Sequence, residues 1–315
     1  MCTGVRFNAL DGSMYFGRNL DWSCSYGEHV VVTPATCELP QAFGEASRGA
    51  HDVIGMGIVA QGVPLYFDCA NKAGLAVAGL NFPGYAQYEE QPLEVKTNVA
   101  AYELPLWVAR NFASVDEVEA ALTGTAIVAQ PLCEAYPVSL LHWLVGDADR
   151  SIVVEYTQAG MHVFRDDVDV LTNQPGFAWH RENLRNYITL SSDMPVPAVW
   201  GKAELAPYGA GAGARALPGD PYSTSRFVRA AFYNANYPAQ AGEQANVSRL
   251  FHTLAGVAMI EGSARMADGS FERTLYTSGY SAASRTYYLS TYDDPSIRAY
   301  PLADFDLESG ELSEA

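Results

Sequence analysis

MCTGVRFNA, at residues 1–9, joins a strand-like run to a cysteine at its start. Only Met1 precedes Cys2, so the loss of one residue would make Cys2 the N-terminus. An N-terminal cysteine holds a thiol and an α-amine on one residue, with reference pKa values of about 8.5 and about 7.7 to 8.0. The amine can therefore take the thiol proton near neutral pH. The pattern predicts nucleophilic catalysis that needs no separate histidine.

Five further strand-like runs follow in the first third of the chain, each rich in β-branched and aromatic residues and bounded by Gly, Asp or Pro. They are MYFGRNLDW, HVVVTP, DVIGMGIVA, LYFDCAN and GLAVAGLNF. Later strands are predicted at 139–146, 151–157 and 168–172, and in RTLYTSGYS and RTYYLSTY before an acidic tail at 304–315.

Helical patterns are predicted at 98–123, 178–190, 225–236 and 245–260. In the first of them, Ser114 and Glu117 have the spacing of a capping box. No linker-like change of composition separates the blocks. The order predicts one domain in which an antiparallel sheet sandwich is covered by helices.

Composition limits the function classes. The chain has 315 residues, of which 49% are hydrophobic and 17% charged, as in a globular enzyme. Its net charge is −17 with only 19 Lys and Arg, which argues against binding nucleic acid. No run of 18 apolar residues occurs, and Arg6, Asp11 and Arg18 stand where a signal peptide would be apolar. We therefore predict a cytoplasmic protein without a membrane segment.

Neither a metal nor another cofactor is predicted. The five cysteines are odd in number and lack CxxC spacing, which indicates reduced thiols rather than disulfides or a zinc site. No histidine has ligand spacing, and His142 and His252 lie in apolar surroundings typical of core residues. The Gly/Ala-rich segment at 208–220 matches a dinucleotide fingerprint poorly, because no strand precedes it, and is predicted to be a pocket rim.

Five separated motifs accompany the opening MCTG: FGRNLDW at 16–22, AGLNFPGY at 78–85, LTNQP at 171–175, SRFVR at 225–229 and STYDDP at 290–295. In this order and spacing the chain resembles the choloylglycine hydrolase family of N-terminal nucleophile amidases. The closest likeness is to bile salt hydrolases of gut actinobacteria. The resemblance implies an αββα sandwich of two antiparallel sheets between helical layers, a single domain over 2–315, removal of Met1, and a homotetramer.

The resemblance also implies roles for six residues. Cys2 matches the nucleophile, Arg18 the arginine whose charge favours thiolate, and Asp21 the carboxylate that accepts a hydrogen bond from the α-amine. Asn81 and Asn173 match the pair that stabilises the oxyanion, through a backbone N–H and a side-chain amide respectively.

Arg226 matches the arginine that completes the charged network. Fixed neutral donors such as those of the asparagine pair are what a developing oxyanion requires.

The expected reaction is hydrolysis of the amide bond of glycine- or taurine-conjugated bile salts, with no cofactor. An apolar pocket for the steroid is predicted near the matched motifs, from Leu20, Trp22, Tyr26, Tyr66 and Phe82. The alternatives are a penicillin V acylase, whose members tend to carry Tyr where this chain has Asn81, and a silent member that only binds steroid-like amphiphiles. A Cys-His protease would need a cysteine other than Cys2 or a histidine that no motif marks.

Overall fold

A computed structural model describes residues 1–315. It contains 19 strands, numbered in chain order: β1 Cys2–Asn8, β2 Met14–Trp22, β3 His29–Thr33, β4 Val53–Ala60, β5 Val63–Asn71, β6 Ala76–Asn81, β7 Thr97–Ala100, β8 Thr125–Val128, β9 Leu141–Gly146, β10 Ser151–Thr157, β11 Gly160–Asp166, β12 Val170–Leu171, β13 Ala198–Trp200, β14 Ala203–Leu205, β15 Ala264–Arg265, β16 Phe271–Ser281, β17 Thr286–Thr291, β18 Arg298–Pro301 and β19 Ser313–Glu314.

Five α-helices complete the framework: α1 Leu104–Asn111, α2 Val115–Leu122, α3 Phe177–Asn183, α4 Ser223–Asn236 and α5 Glu243–Ala255. The predicted cap of α2 is present, since the Ser114 side chain accepts a hydrogen bond from the backbone N–H of Glu117. No helix has the length and apolar character required to cross a bilayer.

Two antiparallel sheets form the centre. The first has the order β12-β1-β2-β16-β17-β18, with β15 added at β16. The second has the order β11-β10-β9-β6-β5-β4-β3-β19. Two small pairs, β7 with β8 and β13 with β14, lie outside both.

Two large apolar clusters order the layers. One joins the facing sides of both sheets and continues to α4 and α5, through residues such as Phe227 and Leu250. The other lies on the far face of the second sheet, where Trp143 and Val145 pack beneath α1 and α2. The layers are therefore helix, sheet, sheet and helix, which confirms the predicted αββα sandwich.

Several details differ from the sequence prediction. Residues 98–100 belong to β7 rather than to a helix, and β11 was not predicted. The acidic tail contributes β19, which pairs with β3 at Val31 and Val32 and forms the edge of the second sheet. His252 is exposed on α5 rather than in the core, because the apolar stripe of that helix falls on its neighbours Leu250 and Leu254.

Candidate active site

Cys2 lies at the end of β1, beyond the residues that pair with β12. In the β1–β2 ladder Met1 and Asp21 exchange backbone hydrogen bonds, so the N–H and C=O of Cys2 point away from β2. On that side β12 pairs only with Gly4 and Val5. The backbone polar groups of Cys2 are thus left free for side chains, although its thiol is buried.

Asn81 occupies a corresponding position in the second sheet. The Phe82 N–H donates to the Leu140 carbonyl, so the N–H and C=O of Asn81 point away from β9, towards β5. The β5–β6 ladder covers only 68–70 and 76–78, so it ends before Asn81. Asn81 therefore has a backbone N–H outside the ladder, as an oxyanion donor requires.

The Asn173 side chain joins these two ladder ends. Its Nδ2 donates to the Asn81 carbonyl at 2.7 Å, and its Oδ1 accepts from the Cys2 backbone nitrogen at 2.7 Å. Nδ2 has a second N–H, which these contacts leave unused. Both predicted oxyanion donors are consequently adjacent and next to Cys2.

Buried groups fix the loop that carries Asn173. The Ser223 hydroxyl accepts from its N–H at 3.0 Å, and His180 Nε2 donates to its carbonyl at 2.9 Å. His142 Nε2 donates to the neighbouring Thr172 carbonyl at 2.7 Å. The His142 ring also stacks on Phe82 at 4.1 Å, so it contacts residues beside both asparagines of the site.

Arg226 and Asp21 form the charged side of the site, and both are fully buried. Arg226 donates to the Cys2 carbonyl, to the Thr3 hydroxyl at 2.7 Å and to Asn173 Oδ1 at 2.8 Å. Burial lowers the pKa of Arg226, against the opposing charges of Asp21, Cys2 and Glu272. Asp21 accepts from Thr274 at 2.6 Å and lies 3.8 Å from Arg226.

The Asp21 carboxylate accepts no hydrogen bond from the Cys2 nitrogen while Met1 is attached. That nitrogen has a single proton, which goes to Asn173, and Asp21 Oδ2 has no hydrogen-bond donor. The predicted contact between Asp21 and a free α-amine of Cys2 remains a prediction for the chain without Met1.

Arg18 fills the gap between β5 and β6. Its Nη1 donates to the Phe67 carbonyl at 3.0 Å and the Gly79 carbonyl at 2.9 Å, and its Nη2 has no partner. Phe67 is the unpaired residue of a bulge in the β4–β5 ladder, which frees its carbonyl. Burial opposes the Arg18 charge, but the negative groups around it, first of all Cys2, raise its pKa.

Asp68 lies behind Arg18 and was missed by the sequence analysis. It is buried and accepts from the hydroxyls of Tyr276 at 2.6 Å, Ser278 at 2.9 Å and Tyr287. Burial raises its pKa, although Arg18 and the three hydroxyls act in the opposite direction. The hydroxyls come from β16 and β17, so no local sequence pattern could have marked this contact.

The five predicted pocket residues separate into groups. Trp22 is partly exposed and Tyr26 is exposed, packing on Phe67 at 5.7 Å beside the Arg18 contact. Leu20 and Phe82 are buried. Tyr66 lies in the apolar cluster under α1, with its hydroxyl on Thr33, and the pocket role predicted for it stays a prediction.

Adjacent residues of a strand face opposite sides, and the neighbouring Phe67 packs on the cluster between the two sheets. No group of three or more His, Cys, Asp or Glu side chains is arranged to hold a metal ion.

Comparisons with known proteins identify the family of the chain. Residues 2–314 match the family of linear amide C–N hydrolases called the choloylglycine hydrolase family. A bile salt hydrolase/transferase of Bifidobacterium longum subsp. longum is 58% identical over 99% of this chain and 98% of its own. A conjugated bile acid hydrolase of Lactobacillus acidophilus is 45% identical over 99% of both chains.

Among solved structures, the C2A mutant of the conjugated bile acid hydrolase from Clostridium perfringens superposes with a TM-score of 0.94 at 34% identity. The match covers 100% of this chain and 96% of that one. With its fold, its ladder-end site and these full-length matches, the chain belongs to the choloylglycine hydrolase family of linear amide C–N hydrolases.

Proposed function

We propose that this enzyme hydrolyses the amide bond of glycine- or taurine-conjugated bile salts, with Cys2 as its nucleophile. The observation that carries the proposal is the 2.7 Å contact between the Cys2 nitrogen and Asn173, within reach of Arg226. This contact supports a centre in which the Cys2 nitrogen, the thiol and the oxyanion donors act together. The substrate class follows from the 58% identical relative, a bile salt hydrolase/transferase matched over its full length.

The first half of the reaction forms a thioester. The Cys2 α-amine takes the thiol proton, and the thiolate, favoured by the Arg18 charge, attacks the amide carbonyl carbon. The oxyanion accepts hydrogen bonds from the Asn81 N–H and Asn173 Nδ2. The α-ammonium then returns the proton to the leaving nitrogen, and glycine or taurine departs.

The second half frees the bile acid. Water enters as the nucleophile, the α-amine takes its proton, and the same donors stabilise the second tetrahedral intermediate. Collapse breaks the C–S bond and regenerates the thiol. Arg226 holds the Cys2 carbonyl and Asn173 in place throughout, because it contacts both.

The direct test is incubation with glycocholate and, separately, penicillin V, scoring released glycine against released 6-aminopenicillanic acid. We expect glycine release, and its loss in Cys2→Ala. Cys24→Ala is the matched control, because Cys24 is an exposed free thiol. Preferential release of 6-aminopenicillanic acid would assign the enzyme to penicillin V, and binding of glycocholate without release would make the chain a binding protein.

We also propose that the mature protein is a single domain over 2–315 that begins at Cys2. An amide nitrogen has no available lone pair, so a chain that retains Met1 cannot use this base. Intact-mass measurement of active enzyme should show that Met1 is absent. Full activity of chains that retain Met1 would contradict the mechanism.

Finally, we infer a cytoplasmic homotetramer. Five free cysteines are consistent with a reducing compartment. Large apolar side chains are exposed on the β13–β14 hairpin and its flanks, at Ile188, Met194, Val196, Val199, Trp200, Leu205 and Tyr208. Exposed apolar patches mark association sites, and a second copy of this chain is the proposed partner. Light scattering of the intact protein should give a tetramer, and light scattering of Trp200→Ser should give a smaller species.

A further inference from the structure

Glu272 is a buried carboxylate that the proposed mechanism does not use. It is 3% exposed, and the one hydrogen bond of its side chain comes from the Met1 ammonium, at 3.3 Å. That ammonium is also the one cation within salt-bridge distance of it. Removal of Met1 would therefore deprive a desolvated negative charge of its partner, which is costly unless another cation takes that place.

β16 places Glu272 on the side of the site. Glu272 and Thr274 are two residues apart on this strand and so share a face. Thr274 donates to Asp21, whereas Arg273 points the other way and pairs with Glu261 at 3.0 Å. Glu272 thus faces the beginning of β1 rather than solvent.

The Cys2 nitrogen is one residue from the atom that Glu272 now holds. Successive backbone nitrogens of an extended chain are roughly 3.5 Å apart, so Glu272 lies within about 7 Å of the Cys2 nitrogen. A charge at that distance inside a protein acts strongly on a titrating amine.

Each of the other charged groups around this nitrogen has an opposite charge close to it. They come from β1, β2 and α4, with one residue behind them on β5: the Cys2 thiol, Arg18, Asp21, Arg226 and Asp68. Asp21 is balanced by Arg226 at 3.8 Å, and Asp68 by three hydroxyls and the Arg18 charge. Glu272 also acts on Arg226, but its one cation within salt-bridge distance belongs to the residue that leaves.

We propose that Glu272 is a positioning residue that stabilises the α-ammonium of Cys2 once Met1 has been removed. It rests on the proposed function, in that it assumes a free Cys2 amine. Arg18 on one side and Glu272 on the other then favour the thiolate–ammonium form of a single residue. This form holds both the nucleophile and the proton that the leaving nitrogen needs.

The test is the pH profile of Glu272→Gln, which removes the charge and keeps the shape. Loss of the ammonium proton removes a positive charge near Glu272, and loss of the thiol proton creates a negative one, so removal of the Glu272 charge makes both deprotonations easier. Both limbs of the kcat/KM profile for glycocholate should move to lower pH, by roughly one unit. Glu272→Asp, which retains the charge, should restore most of the wild-type profile.

Glu261→Gln is the matched control, because Glu261 is an exposed carboxylate on the other side of β16, and it should leave the profile in place. Intact mass must first show Met1 absent from every variant. A profile of Glu272→Gln that is lowered in height but unmoved along the pH axis would overturn the proposal and leave a structural role. Equal movement in Glu261→Gln would overturn it as well.

A second readout does not depend on the substrate. In a Cys24→Ala background, the pH midpoint of Cys2 alkylation by iodoacetamide, measured by peptide mass, should shift in the same direction. If wild-type enzyme releases no glycine but this midpoint moves with Glu272→Gln, the proposed function fails and the role of Glu272 stands. An unmoved midpoint together with normal glycine release would refute the role of Glu272 and leave the proposed function standing.

Discussion

Asn173 makes three contacts with one amide group, and their chemical direction supports its proposed role. Oδ1 accepts from the Cys2 nitrogen and from Arg226, while Nδ2 donates to the Asn81 carbonyl. The remaining N–H of Nδ2 can serve charge that develops only in the transition state.

Asn173→Ala should accordingly lower kcat by about 100-fold or more with a smaller effect on KM, since loss of one oxyanion donor has this magnitude. Steady-state kinetics with glycocholate measure both constants. Asn186→Ala, the same change at an exposed position, is the control. A rise in KM alone would assign Asn173 to ground-state binding.

Sequence reasoning reached some residues of the site and not others. The position of Cys2 suggested a nucleophile, motifs that resemble one family supported it and added five further residues, and these six roles stay predictions. Glu272 and Asp68 were not found, because each acts through contacts with distant parts of the chain: Glu272 with Met1, and Asp68 with Tyr276 and Tyr287. No spacing in the sequence records such contacts.

At the level of elements, the site arises from ladders that end early. β12 stops short of Cys2, the β5–β6 pairing stops short of Asn81, and a bulge at Phe67 releases a carbonyl for Arg18. Strand existence was predictable from composition, whereas the residue at which two strands cease to pair depends on tertiary structure. The strand-like runs therefore predicted the strands of the sheets, but not the residues at which neighbouring strands cease to pair.

A close approach of α5 to the first sheet supports this arrangement. Gly17 of β2 lies opposite Gly279 of β16, beneath Leu250 of α5. A Cβ at Gly17 would come within 2.3 Å of the Ser278 carbonyl oxygen, which is backbone. A Cβ at Gly279 would meet the end of the Leu250 side chain at 2.7 Å, which can move more easily.

We therefore expect Gly17→Ala to lower the free energy of unfolding by about 2 kcal/mol or more, and Gly279→Ala to cost less. Urea denaturation followed by circular dichroism compares the two. Gly219→Ala, where no atom lies within 4 Å of the added Cβ, should be neutral. Equal losses in Gly17→Ala and Gly279→Ala would show that the backbone contact is not the cause.

For the whole molecule, net charge and substrate charge have the same sign. The chain carries −17, and conjugated bile salts are anions. Arg18 and Arg226 are fully buried among carboxylates, so they project little positive field beyond the site. Long-range repulsion should consequently dominate the encounter between enzyme and substrate.

Added salt screens that repulsion, with a Debye length that falls from about 30 Å at 0.01 M to about 8 Å at 0.15 M. We expect kcat/KM for taurocholate to rise over this range, at substrate concentrations below the micellar threshold, with kcat changing less. A fall in kcat/KM with salt would mean that a local positive field at the cleft outweighs the net charge.

The hydrogen bond from His180 to the Asn173 carbonyl makes the enzyme sensitive to acid. Burial, chiefly, lowers the pKa of His180 to about 4, whereas an unfolded histidine titrates near 6.5. Between these values the unfolded chain binds a proton that the folded chain does not. The stability this group contributes is thus complete above about pH 6.5 and is lost as the pH falls towards 4.

The proton would enter at Nδ1, which has no hydrogen-bond partner, directly beside the loop. Activity should then disappear on acidification before the far-ultraviolet circular dichroism changes, and should return at neutral pH. Trp179 lies edge-on to the His180 ring at 5.7 Å, so its fluorescence should fall in the same step, and Trp179→Phe should remove that signal. Coincident loss of activity and secondary structure would refute this order of events. Brief acid treatment should therefore yield inactive enzyme whose activity returns on neutralisation alone.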